Sequence, residues 1–222
     1  MRHFAPILLV LSCALLAACG KKHEPAPTAA APAPAPAPTQ AQVAAEMTDE
    51  QRQLARKQAL MDYATMEDKY LNDPRGQWAA EAKASSTFGE GPGKSPSTIN
   101  AAANVTGPVD SKQWTNAQQD IGFDWLETSY AKPVSATEIR VVFRDGKGVE
   151  AVSKLEVQDT GGKWTTVWTG LSDVKYDKRG SRTWFVKTFD KTPLPVKAVK
   201  VTIANNVQSG YKEVDAVQLV GD

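Results

Sequence analysis

Cysteine and histidine are nearly missing from this chain. The 222 residues hold two of each, Cys13, Cys19, His3 and His23, all within the first 23 positions. From residue 24 onward no disulfide can form, and Ser-His or Cys-His nucleophiles and most zinc sites are excluded. Chemistry there falls to carboxylates, Lys, Tyr or a calcium ion. A fold without disulfides rests on its apolar core, which takes a domain of about 100 residues or more. Surplus charge is lacking too: 26 Lys and Arg stand against 25 Asp and Glu, a net charge of +1. That balance argues against nucleic acid as a partner, because such binding needs an excess of cations to neutralise phosphates. The first apolar run, Phe4 to Leu16, falls short of the roughly 20 residues a spanning helix needs.

What is present begins with a basic Arg2, that apolar run, and the small residues Ala17 and Ala18. This is the order of a secretory signal. Leu16-Ala17-Ala18-Cys19 then resembles the lipobox of bacterial lipoproteins. The resemblance implies removal of residues 1–18, acylation of Cys19 and attachment to a lipid bilayer, each buried methylene contributing about 0.8 kcal/mol. Gly20 and Lys21 after the cysteine, rather than Asp, resemble the outer-membrane address of Gram-negative lipoproteins. An ordinary signal with a chance cysteine is the alternative.

Residues 19–45 form an Ala- and Pro-rich linker in which Pro32, Pro34, Pro36 and Pro38 alternate with alanine. Alternating proline fixes φ and removes N–H donors, so the expectation is an extended spacer reaching roughly 75 Å. Residues 46–74 read as a helix. Thr48 with Gln51 makes a capping box, Asp49 and Glu50 suit the positive end of the dipole, and Pro74 stops the helix. Ala59, Tyr63, Met66 and Tyr70, with Leu60, Ala64 and Leu71 beside them, form one apolar stripe. It either docks on the following domain or self-associates.

From 75 to 222 the pattern is β. Thr137–Phe143, Lys154–Gln158, Lys163–Thr169, Arg182–Phe189, Ala198–Ile203 and Glu213–Val220 are short runs, several alternating, separated by turns such as Asp145-Gly146, Gly161-Gly162 and Ser209-Gly210. That is an antiparallel sandwich or barrel. The order AKASSTFG (Ala82–Gly89), NVTGPVD (Asn104–Asp110), Trp114, DWLETSYAKPVSATEIRVVF (Asp124–Phe143), LEVQDTGGKWTTVWTG (Leu155–Gly170) and GYKEVDAVQLVGD (Gly210–Asp222) is similar to the discoidin, or galactose-binding-like, superfamily (the coagulation-factor type C domains among them). The resemblance implies an all-β, eight-stranded antiparallel jelly-roll sandwich that binds through loops at one end. It also implies a possible structural calcium ion, with Asp110 as one carboxylate and Glu213 or Asp215 as the second; calcium wants six to eight oxygens.

The six tryptophans Trp78, Trp114, Trp125, Trp164, Trp168 and Trp184 lie at or near strands, where large aromatics usually pack. The candidate ligand residues are therefore in loops: Phe88, the hairpin residues Arg144, Asp145 and Lys147, and Asn205 and Tyr211. The Gly-rich GEGPGKS stretch (90–95 with Gly89) does not have the glycine spacing of a phosphate loop. The reading is a lipid-anchored envelope protein carrying a non-catalytic, carbohydrate-binding-like module. A scaffold that binds another envelope protein is the alternative. A glycosidase would need two carboxylates about 5–10 Å apart across a cleft, which spacing in sequence does not show.

Overall fold

Thr48 opens the first element as the capping box requires. Its hydroxyl accepts from the Gln51 N–H at 3.2 Å, and the Gln51 side chain accepts from the Thr48 N–H at 2.8 Å. The computed structural model describes residues 47–222, so the readings of the signal, Cys19 and the linker lie outside the described residues. Helix α1 (Asp49–Leu71) follows, with Asp49 and Glu50 in its first turn and Lys69 in its last.

Ten strands come next: β1 (Gly76–Trp78), β2 (Glu81–Ala84), β3 (Trp114–Thr115), β4 (Phe123–Val134), β5 (Ala136–Arg144), β6 (Val152–Asp159), β7 (Trp164–Thr169), β8 (Arg182–Thr188), β9 (Val196–Ala204) and β10 (Glu213–Gly221). Eight have four or more residues, matching the expected eight; β1 and β3 are shorter additions to β10. The first sheet runs β1-β10-β5-β8, with β3 also on β10; the second runs β2-β4-β9-β6-β7. Every pairing is antiparallel. The result is an all-β sandwich with one helix. Pro133 is tolerated in β4 because the register to β9 breaks between Ser129 and Val134.

Between the sheets, alternate side chains such as Leu126, Ile139, Phe143, Leu155, Val201 and Leu219 form the main core. Each such side chain, fully buried, contributes about 1.5–3 kcal/mol. A second, smaller cluster sits on the outer face of the first sheet, where Val142, Trp184 and Ala216 meet Met66, Tyr70 and Leu71 of the helix. This is the docked stripe. Tyr63 is buried within it and donates to the Arg182 carbonyl at 2.9 Å, while Leu60 and Ala64 stay exposed.

The C-terminal end of α1 is clamped by charge. Arg140 donates to Gln218 (2.9 Å) and Asp73 (2.7 Å), and its guanidinium lies 4.4 Å from the Tyr70 ring centre. Gln218 in turn donates to the Tyr70 carbonyl at 3.1 Å, one of the carbonyls a helix end leaves without a partner. Helix and sandwich belong to one compact unit spanning residues 47–222, which runs across the boundary expected at 75. No helix among the described residues is long and apolar enough to cross a membrane.

Candidate ligand-binding site

Five connections meet at one end of the sandwich: residues 85–113, 116–122, 145–151, 170–181 and 205–212. Register brings them there, since Phe123 lies opposite Ala204, Arg144 opposite Arg182, and Phe143 opposite Val214. At their centre is Asp124, the second residue of β4, buried at 4% exposure. Its carboxylate accepts from Ser85 (2.6 Å), Ser86 (2.7 Å), Asn116 (3.0 Å) and Asn205 (2.9 Å). One carboxylate thus ties three loops together. Burial pushes its pKa up, but the four donors outweigh burial and hold it below the usual carboxylate range.

Other polar side chains finish the joinery. Gln208 accepts from the Gly148 and Glu150 N–H groups at 2.9 and 3.1 Å and donates to the Gly146 carbonyl at 3.0 Å. Lys212 is buried, with its ammonium on the carbonyls of Gln119 (2.7 Å) and Gly210. Burial lowers its pKa, and nearby Asp120 and Asp124 push back. Trp114 lies in the core and donates its indole N–H to the Ser86 carbonyl at 2.9 Å.

Of the residues expected from sequence, Phe88 and Tyr211 come together. Their rings meet edge to face at a centroid distance of 4.7 Å, although 123 positions separate them. Phe88 is set by its N–H on the Thr115 carbonyl at 2.8 Å, and Thr115 pairs with Glu213 at the start of β10. Arg144, Asp145 and Lys147 are exposed at the same end. Arg144 donates to Gln113 at 3.2 Å, Asp145 sits in a turn with φ 47°, and Lys147 pairs with Glu213 at 2.8 Å. Asn205 is not exposed with them: it is buried at 1% exposure, its amide N–H groups donate to Asp124 and the Ile121 carbonyl and its oxygen accepts from Asn116, so it supports the loops from below.

The carboxylates implied for calcium each have a basic neighbour in this structure. Asp215 accepts from the Asp110 N–H at 3.2 Å and has the Arg182 guanidinium 3.5 Å away. Burial raises its pKa against those partners. The Asp110 carboxylate is on Lys112 at 2.6 Å, which holds its pKa low, and Glu213 is on Lys147. Each acid already faces a cation, and among the described residues no group of three His, Cys, Asp or Glu side chains could hold a metal ion.

Sequence reasoning passed over Asp124 and Asn116. The available signal was parity: Asp124, Leu126, Thr128 and Tyr130 are the inward positions of β4, and a charged residue in that series demands partners.

No family model and no curated protein matches this sequence. Solved structures resemble it at low identity. A chitosan-binding module of a Paenibacillus sp. IK-5 chitosanase/glucanase is 15% identical over 64% of this chain and 94% of its own, with a TM-score of 0.46. A family 32 carbohydrate-binding module of C. perfringens, in complex with galactose, is 16% identical over 65% and 98%, with a TM-score of 0.45. An F5/8 type C domain from Bacteroides fragilis is 15% identical over 67% and 98%, with a TM-score of 0.48.

Proposed function

We propose that this protein is a non-catalytic binding module of the cell envelope, taking a glycan at the loop end and held to a lipid bilayer through Cys19. The observation that carries the glycan reading is the Phe88–Tyr211 pair, two rings from distant loops fixed in contact at the sandwich end beside the exposed Arg144, Asp145 and Lys147. Rings offer the apolar faces of a sugar a surface, and planar charged groups suit its hydroxyls. The order of motifs in the sequence points the same way.

One observation favours the second reading, a protein partner. Ile99, Ile121 and Val207 are exposed on three of the loops at that end, and a contiguous apolar surface built from such side chains would mark an interaction site.

Binding of the protein to a glycan array that includes cell-wall fragments separates the two. Saturable binding that falls about tenfold or more in Phe88→Ala and Tyr211→Ala is the expected result. Binding to no glycan, with envelope protein captured only when Ile121 and Val207 are intact, would establish the scaffold reading instead. Incorporation of labelled palmitate, lost in Cys19→Ser, tests the anchor.

A further inference from the structure

The outer face of the second sheet is uncovered, whereas α1 occupies the outer face of the first. On β4, Phe123, Trp125 and Glu127 share that open face, since side chains two apart lie on one side of a strand. Phe123 is 69% exposed and Trp125 half-buried. Across on β9, Lys200 stands opposite Glu127, with its ammonium 3.2 Å from the carboxylate. The same ammonium is 5.3 Å from the Trp125 ring centre and 4.3 Å from that of Trp164. Trp164 belongs to β7, three places along the sheet from β4. One cation therefore gathers two indoles from separate strands onto an open surface, and rings already held in place lose little freedom when a ligand arrives. Alongside runs a groove of about 270 Å³ whose lining includes Glu81, Lys83, Glu127 and Ser129.

The charges around these rings decide what could bind. Lys83 and Lys200 both pair with Glu127, Lys154 pairs with Glu156, and Glu81 stands beside Ser129. Three lysines thus stand among three glutamates, two of which they pair with, so these residues leave no surplus for a polyanion. Nor is it a contiguous apolar patch of the kind a protein partner buries, because charged rows separate the rings. The ligand that suits aromatic faces interleaved with balanced donors and acceptors is uncharged, with apolar ring faces and many hydroxyls. We propose that this face, centred on Trp125, Lys200 and Trp164 with Phe123 at its margin, is a second binding surface that takes a neutral polysaccharide chain. Sugar faces lie on the aromatic rings, and hydroxyls donate to Glu127 and accept from Lys200. The surface is separate from the loop-end site and does not depend on that site taking a glycan.

Affinity electrophoresis of the full-length protein in mild detergent, through native gels holding hydroxyethylcellulose, galactomannan or glycol chitin, reads this directly. Dextran sulfate serves as the charged control. Retardation by at least one neutral polymer is expected, weakened about tenfold or more by Trp125→Ala with Trp164→Ala and unchanged by Phe88→Ala with Tyr211→Ala. Because the tryptophan variants could disturb the sheet, Phe123→Ala and Thr166→Arg repeat the test at exposed positions of the same face; both should reduce retardation while leaving the melting temperature in place. Retardation by dextran sulfate alone, by no polymer, or by a polymer whose effect survives both exposed-site variants would overturn the second surface. Loss with the Phe88 and Tyr211 variants alone would do the same, while upholding the loop end.

Discussion

Asp124 accepts four side-chain hydrogen bonds on one buried carboxylate, and each bond to a charged group is worth about 1.5–3 kcal/mol. Asp124→Asn replaces an acceptor oxygen with an NH2 that must face other donors. The expected outcome is a lower melting temperature and lost ligand binding, although Phe88 and Tyr211 are untouched. The pH dependence has a definite sign. A carboxyl held below its usual range contributes its stabilisation fully above the ordinary pKa of about 4. That contribution is lost only as pH falls through the lowered native value. In an acid melt the loops of the native protein should therefore loosen below pH 4, and those of Asp124→Asn should show no such step. Phe88 and Tyr211 were legible in the sequence as aromatic residues in Gly-rich loops. Asn205 looked the same as a ligand residue would, because a polar loop side chain turned inward and one turned outward leave identical letters.

Helix α1 was the most readable element, since the Thr48–Gln51 box and the Tyr63–Met66–Tyr70 stripe are local patterns. What receives it was not readable. Gly180 passes directly beneath Tyr63, and a Cβ there would lie 2.3 Å from the ring. Gly180→Ala should thus push the helix off its seat at about 1–3 kcal/mol, the usual cost of overpacking. Trp184, whose ring lies tilted against Tyr70 at a centroid distance of 5.1 Å, would report the shift by its fluorescence, with the sheet signal in circular dichroism unchanged. Tyr63 itself would lose the burial that raises its pKa to about 12, moving its titration back toward the ordinary value. β4 went unread as a strand for a related reason. Its inward side carries Asp124 and Thr128 among Leu126 and Tyr130, which blunts the alternation that marks a half-buried strand.

For the whole molecule, period-two alternation and turn spacing were enough to give an antiparallel sandwich, because a strand with one wet face must alternate. They could not show that β10 would be buried on both faces. Residues 214–221 are all buried, since the core lies on one side and α1 covers part of the other. Coverage by a distant helix is a tertiary fact that no window of sequence contains. Gathering the five loops at one end is likewise a property of strand order rather than of any one loop.

β10 is also the last strand in the sequence, although it lies in the middle of the first sheet and pairs with β1, β3 and β5. Gly76 waits for Val220 and Trp78 for Gln218. A ribosome delivers the chain in the opposite order, so α1, β1 and β5 emerge long before the strand that joins them. Until then β1 has no strand partner and β5 is paired on one edge only, by β8, and the loop-closure entropy of the longest pairing must be met before any of it is returned. Chain order and packing order conflict, and the edges of β1 and β5 stay open to wrong pairing until β10 has been placed between them.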